Sequence, residues 1–350
     1  VLSTYNSSKI SKFLHTENFE TAAVLMSGDC GFFSGTARLL PEISDMDYEI
    51  VCGISSVVYF CSKIGISWQN MKFVSLHGMD SNIVRHAAEN EKTFFLLGGK
   101  ISAAQACRRL CEYSMNSAEV YIGENLGYEN ERILCGTAED FTETETALLS
   151  VMTVVNSDCE TLKRSGIPDR EFVRGNVPMT KSEVRSVIIS KLGISNDSVC
   201  WDIGSGTGSV SVEMALQCGS GRVYAVDRNP EAVSLTDKNK HIFKCDNIEI
   251  IGGNAMDNIE KLPVPDRVFI GGSGGELLQI IKMVFKKNRK AVIVVTAVSL
   301  ETLNKSLEGF RICGAETEIV QVSITRTKSV GEYTMLCGEN PVFIIKGTIL

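Results

Sequence analysis

The stretch Val199-Cys-Trp-Asp-Ile-Gly-Ser-Gly-Thr-Gly-Ser209 decides the fold class of this 350-residue chain. Val199 to Ile203 is a short apolar run of strand length, and Gly204, Gly206 and Gly208 then carry the backbone through a tight turn into an apolar helical pattern. Glycines in such a turn serve a ligand that approaches the main chain closely and conformations that a side chain disfavours. About twenty residues after Gly208 the next apolar run ends at Asp227, the position from which a carboxylate can hold a ribose diol. Strand, glycine turn, helix, strand and acid together predict an α/β domain with an adenosine-type site.

The same alternation continues on both sides. Strands are expected at Ser198–Ile203, Arg222–Asp227, Ile248–Ile251, Asp266–Ile270 and Lys290–Ala297, with helices at Ser209–Gln217, Pro230–Phe243, Gly275–Phe285 and Leu300–Phe310. Thr317–Thr325 and Val342–Lys346 read as a closing antiparallel hairpin around the polar segment Thr327–Glu332. Upstream, Thr180 followed by Glu183 reads as a capping box that opens a helix. A first βα series is expected from strands at Thr21–Met26, Glu49–Cys52, Thr93–Leu97, Glu119–Ile122 and Leu148–Val155, and helices at Gly31–Leu40, Ser56–Lys63 and Ser102–Tyr113. Both series predict largely parallel sheets. The polar segment Asn156–Asn176, with Lys163, Arg164, Gly166 and Pro168, reads as the linker, so the expected domains are 1–157 and 158–350.

Hydrophobic residues make up 44% of the chain and charged residues 22%, an ordinary globular composition. No apolar run approaches the ~18 residues of a membrane span. The net charge of −7 divides unevenly, with the acidic excess in the first half. Neither half has the basic excess of a protein that tracks nucleic acid, so an anionic ligand must be met by local cations. The 12 cysteines show no Cys-x-x-Cys spacing and stand beside only 4 His, which argues against a metal site or a disulfide framework. Reduced thiols and a cytoplasmic location are expected.

Nicotinamide dinucleotide and S-adenosylmethionine both suit the glycine turn and Asp227. Two local features favour S-adenosylmethionine. Asp202, just before the turn, is placed to face a cationic amino acid moiety and would repel a pyrophosphate, and Ser209 stands where the dinucleotide pattern wants a third glycine. Ser205 and Thr207 complete the loop. Asn254 and Ala255 follow the third strand, where a side chain and an amide can read an adenine. Ser273 lies among Gly271, Gly272, Gly274 and Gly275 after the fourth strand, at the edge where ligands bind in such sheets.

From about Gly166 to Lys346 the chain resembles the CbiT-like decarboxylating precorrin-6B methyltransferases of cobalamin biosynthesis. The resemblance is carried by Gly-Ile-Pro-Asp-Arg-Glu-Phe at 166–172, Val-Pro-Met-Thr-Lys-Ser-Glu-Val-Arg at 177–185, the Gly204 loop, the glycine cluster at 266–275 and Gly-Glu-Tyr-Thr-Met at 331–335. It implies a Rossmann-like class I methyltransferase domain whose cofactor contacts include Thr180, Gly204–Gly208, Asp227 and Ala255.

The first half is similar to the tetrapyrrole methylases, above all the CbiE-like ones. The matching residues are Ser27-Gly-Asp-Cys-Gly-Phe-Phe-Ser34, Gly53-Ile-Ser-Ser56, Ser75-Leu-His-Gly78, Leu97-Gly-Gly99 and Gly123-Glu-Asn-Leu-Gly127. This resemblance implies cofactor contacts at Asp29, Phe32, Ser55 and Ser56. That family's first strand and Gly-x-Gly-Pro-Gly loop have no counterpart, and Cys30 and Cys52 replace its prolines, so the first domain is expected to be N-terminally incomplete.

The order of the halves matches the fused CobL-like enzymes. It implies a homo-oligomer that methylates a precorrin-6 corrinoid, with or without cobalt, at carbons 5 and 15 and removes an acetate carboxyl. No acid or base residue is singled out for this chemistry. The substrate's carboxylates are expected to meet Arg174, Lys181, Arg326 and Lys328. The competing readings are an RNA methyltransferase and a first half that only binds tetrapyrrole or a partner.

Overall fold

The computed structural model describes residues 1–76, 82–98, 101–159 and 165–349. His77, Gly78, Gly99, Lys163 and Arg164, which the motif and linker readings include, lie outside the described residues. Two compact units are present. One comprises Val1–Gly78, Asn90–Arg108 and Asn116–Ser157; the other comprises Met79–Glu89, Arg109–Met115 and Asp158–Leu350.

The elements up to residue 155 are α1 (Ser7–Thr16), α2 (Thr36–Leu39), α3 (Ser56–Ile64), β1 (Lys72–Ser75), α4 (Ile83–Glu89), β2 (Lys92–Leu96), α5 (Ala103–Glu112), β3 (Glu119–Glu124), β4 (Arg132–Thr137) and β5 (Ser150–Val155). The five strands form one sheet in the order β1-β2-β5-β3-β4. Only β1 and β2 run parallel; β5 pairs antiparallel with both β2 and β3, and β3 with β4. The expected parallel sheet is therefore a mixed one, because β5 inserts between β2 and β3 and β4 turns back on β3.

Thr21–Met26 and Glu49–Cys52 form no strand. Both are largely exposed, and the sheet edge, β1, pairs only with β2. The helix expected at Gly31–Leu40 begins only at Thr36, because Phe33 adopts a left-handed φ of 49° that no helix accommodates. Val57, Phe60, Cys61, Met71, Phe94 and Val151 form a core beneath α3.

The remaining elements are α6 (Ser182–Leu192), β6 (Val199–Ile203), α7 (Ser209–Gln217), β7 (Arg222–Asp227), α8 (Pro230–Ile242), β8 (Ile248–Gly252), α9 (Ala255–Asn258), β9 (Arg267–Ile270), α10 (Leu277–Lys287), β10 (Val292–Ala297), α11 (Leu300–Ile312), β11 (Glu316–Val322), β12 (Thr325–Val330), β13 (Tyr333–Gly338) and β14 (Val342–Thr348). Seven strands make a sheet in the order β11-β14-β10-β9-β6-β7-β8. All neighbouring pairs from β8 to β10 are parallel, and β14 runs antiparallel between β10 and β11. This is a Rossmann-like doubly wound sheet with an antiparallel edge.

Each face carries its own core, as the alternation of β6 requires: Cys200 packs with α6 and α7, and Trp201 and Ile203 pack with α10. The polar segment Thr327–Glu332 is not a simple turn. Most of it belongs to β12, which pairs with β13 in a separate two-stranded sheet inserted between β11 and β14.

Candidate active site

The direction of strand addition reverses between β6 and β9, and in doubly wound sheets the crevice opens at the carboxyl ends of such a pair. Gly204 follows β6 and Gly272 follows β9. A Cβ on Gly204 would lie 2.6 Å from both the amide nitrogen and the carbonyl oxygen of Gly272, and φ at Gly204 is 76°. Gly206, at φ 57°, leaves no room for a Cβ beside the Pro178 carbonyl, 2.7 Å away. The glycines thus let three backbone segments converge.

Asp227 anchors this loop from the end of β7. One carboxylate oxygen accepts from the Gly206 amide at 2.9 Å, and the other accepts from the Asn229 amide at 2.9 Å. Asn229 caps α8 by accepting from the Glu231 amide, with Pro230 at the first helical position.

A cavity of about 520 Å³ opens above this arrangement. Its lining brings together Thr180, Lys181, Gly204, Ser205, Gly206, Asp227, Asn254, Ala255 and Ser273 from the sequence candidates. Arg228, Thr296, Val298, Ile324, Glu339, Asn340 and Val342 line it as well, and sequence reasoning missed them. Arg228 adjoins Asp227 in sequence, which was a usable signal. Thr296 and Val298 lie at the end of β10, where a parallel strand points at the crevice. The residues from Ile324 to Val342 arrive only through the inserted hairpin, and nothing local announces them.

Several candidates are placed elsewhere. Asp202 does not face the cavity. The two-residue alternation of β6 turns it under α7, where it is fully buried and accepts from the Ser211 hydroxyl. Its other oxygen is buried with no partner. Burial, with a further contribution from the Asp227 charge and against the Ser211 hydrogen bond, pushes its carboxyl up to about 7.

Thr207 is buried and points inward. Gly208 caps α7 with φ 74° and packs against Thr236, so neither lines the cavity. Thr180 is not the helix cap: Lys181 holds that position without a side-chain bond, and the Thr180 carbonyl accepts from Arg185 at 2.7 Å. Arg174 and Lys328 are exposed and lie off the cavity. Arg326 is held between Glu339, at 2.6 Å, and Glu183, so its charge is already matched inside the fold. Lys181 lines the cavity, with Asp169 4.0 Å from its ammonium.

The resemblance motifs at 166–172 and 177–185 meet in one buried network. Arg185 is fully buried. It donates to Glu213 at 2.7 Å, to Asp169 at 3.4 Å and to the carbonyls of Thr180 and Ile167. Glu213, also fully buried, accepts from the amides of Gly166 and Ile167. This network fixes the chain that carries Pro178, Met179 and Thr180 along the cavity wall.

In the first unit the Gly28–Asp29 turn and Gly53 come together, with the Gly28 carbonyl 2.3 Å from where a Gly53 Cβ would stand. Asp29 accepts from the Gly31 amide at 2.8 Å, which closes its own turn. Ser55 caps α3 through the Val58 amide, Ser56 starts that helix, and Phe32 packs edge-on against Phe73 and Phe94. Phe32 and Ser55 therefore have structural roles that the motif alone does not reveal. Among the described residues no cluster suited to a metal ion occurs, and no helix is long and apolar enough to cross a membrane.

The buried Asp202 carboxyl has a measurable consequence. The unfolded chain releases this proton near 3.8 and the folded state holds it to about 7, so the folded state binds more protons in between. Its contribution to stability is therefore fully present below about pH 4 and is lost as pH rises to about 7. Urea unfolding of the protein and of Asp202→Asn across this range should show the parent losing ground to the variant by a few kcal/mol as pH rises. A constant difference would place the titration elsewhere.

Residues 171–348 match the family described as precorrin methyltransferase domain, and residues 6–142 match the tetrapyrrole (corrin/porphyrin) methylases. A Pyrobaculum calidifontis protein named "Probable cobalt-precorrin-6B C(15)-methyltransferase (decarboxylating)" is 45% identical over 183 residues, 51% of this chain and 94% of that protein. The crystal structure of a Geobacter metallireducens precorrin-6Y C5,15-methyltransferase aligns with 41% identity and a TM-score of 0.50, covering 53% of this chain and 96% of that one. A precorrin 8W decarboxylase structure from Methanobacterium thermoautotrophicum aligns with 37% identity and a TM-score of 0.50, covering 52% of this chain and all of that one. With the cavity at the strand reversal, its glycine loop and Asp227 all inside the matched residues, the chain belongs to the precorrin methyltransferase family.

Proposed function

We propose that the second unit transfers a methyl group from S-adenosylmethionine to carbon 15 of a precorrin-6 or cobalt-precorrin-6 corrinoid and removes the carboxyl of a ring acetate, in cobalamin biosynthesis. The first unit, in the same reading, methylates carbon 5. The two activities are assigned to residues 1–157 and 158–350. The observation that carries the reading is the glycine cradle at the strand reversal, where a Cβ at 204 or 206 would fill the space and Asp227 secures the loop.

The residues fit the cofactor. Asp227 would hold the ribose hydroxyls, the Gly204–Gly206 backbone the amino acid moiety, and Asn254 with Ala255 the base. S-adenosylmethionine supplies an electrophilic methyl group on a sulfonium. The chain's own part is orientation and exclusion of water: Val298, Ile324 and Val342 give the cavity an apolar wall, and Thr180, Thr296 and Asn340 offer hydrogen bonds. Loss of carbon dioxide leaves an electron pair that the conjugated macrocycle accepts, so the site needs to align the acetate rather than supply an electron sink.

Mass spectrometry of precorrin-6 incubated with the protein and labelled cofactor tests the assignment. Two methyl groups and loss of carbon dioxide are expected, and an unmodified corrinoid would refute it. A second reading, in which only the second unit reacts, is favoured by Ser55 and Phe32 being engaged in a helix cap and an aromatic core. It predicts one methyl group, with the same carbon dioxide loss. Within the second site, Asp227→Ala should weaken cofactor affinity by about 1.5–3 kcal/mol, tenfold to a hundredfold, through loss of charged hydrogen bonds. Calorimetry reads this directly, and an unchanged affinity would remove Asp227 from the site.

A further inference from the structure

Arg174 and Lys328 are exposed off the cavity, and Arg326 and Lys181 each have a carboxylate partner. Arg326 is held by Glu183 and Glu339, and Lys181 has Asp169 at 4.0 Å. Arg228 lines the cavity, is exposed, and has no carboxylate within ion-pair distance among the described residues. Its guanidinium extends from the end of β7 to the glycine loop that follows β9. A Cβ on Gly274 would lie 3.3 Å from Nη1 and 3.7 Å from Cζ. Glycine at 274, with φ 59°, thus keeps open the space that the guanidinium uses beside Ser273.

A planar, permanently charged fork left unpaired at the mouth of a cavity is suited to a carboxylate. We propose that Arg228 is a specificity-determining residue that binds a peripheral carboxylate of the tetrapyrrole substrate across the Gly271–Gly275 loop. The inference rests on the corrinoid reading above. It assigns Arg228 to the substrate and not to the cofactor, although Asp227 is its neighbour in sequence.

Steady-state kinetics with precorrin-6B and calorimetry with S-adenosylmethionine on Arg228→Met, Arg228→Lys and Arg228→Phe test it. Arg228→Met and Arg228→Phe should raise KM for the corrinoid about tenfold or more with kcat little changed, and Arg228→Lys should recover part of the loss because it keeps the charge. Cofactor affinity should stay within about twofold in all three. An unchanged KM overturns the proposal. So does a parallel loss of cofactor affinity that Arg228→Phe restores and Arg228→Lys does not, since that pattern would mark a plate stacked on the adenine.

Fluorescence titration with uroporphyrin, an octacarboxylate tetrapyrrole, reads the same contrast without turnover. Weaker binding by Arg228→Met supports the proposal, and equal binding by all variants counts against it. Failure of the parent protein to modify precorrin-6B would refute the functional reading, whereas the titration would still report on Arg228.

Discussion

Arg185→Leu is expected to destabilise the second unit by about 3–5 kcal/mol, a large fraction of the stability of a typical domain. Arg185 and Glu213 are both fully buried and 2.7 Å apart, so removing the guanidinium leaves a carboxylate in the interior without its counter-charge. The carbonyls of Thr180 and Ile167 lose their donor at the same time, and the Phe172 ring loses the cation 4.7 Å from its centroid. Urea unfolding followed through the buried Trp201 measures the loss. Arg185→Leu combined with Glu213→Gln should recover part of it, because position 213 then carries no buried charge, while the single amide oxygen can keep only one of the bonds that the Gly166 and Ile167 amides make to the two carboxylate oxygens. A loss below about 1 kcal/mol for the single variant, typical of an exposed pair, would refute the buried-network account. Cofactor affinity should fall even where the variant is folded, since the same side chain tethers Thr180 to the cavity wall.

Gly204→Ala should abolish cofactor binding and cost about 2–5 kcal/mol of stability, the sum of left-handed strain and overpacking. The new methyl would meet three backbone atoms of Gly272 at 2.6 to 2.7 Å, and backbone cannot swing aside as the end of a flexible side chain does. Either β6 and β9 separate at their carboxyl ends or the loop leaves its left-handed conformation. Both outcomes break the Gly206 to Asp227 hydrogen bond that shapes the site. Gly275→Ala is the control, because φ there is also positive, at 98°, yet nothing lies within 4 Å of the added methyl. It should cost only the conformational part. Calorimetry and urea unfolding on the two variants separate the effects, and cofactor binding by Gly204→Ala within about threefold of the parent would mean that the close approach is not required.

Local sequence was sufficient for the elements that build the glycine turn. The β6 turn, α7 from Ser209 to Gln217, β7 from Arg222 to Asp227 and the Asn229-Pro230 start of α8 are all legible, because strand burial, glycine conformation and capping act over a few residues. The motifs at 166–172 and 177–185 were also legible as specific, but not what they do. Their Arg185 joins Asp169 to Glu213 on α7, and only folding makes those contacts.

Tertiary structure decided the rest. Asp202 looked like a ligand-facing acid from its place before the glycines, yet side-chain alternation in a strand covered by α7 buried it against Ser211. Thr21–Met26 and Glu49–Cys52 have strand-like composition but no ladder to join, because a strand is stabilised by a partner and not by its own residues. Nothing in the sequence says which of Arg326 and Arg228 has a carboxylate partner. Long-range packing placed two carboxylates on the first and left the second open to the cavity. The α/β class of the second unit, its glycine turn and the acid that secures the turn thus follow from the sequence alone, since residues near one another in the chain announce them. Which charges remain available to a substrate follows only from the fold, because ion pairing is settled between residues far apart in the chain.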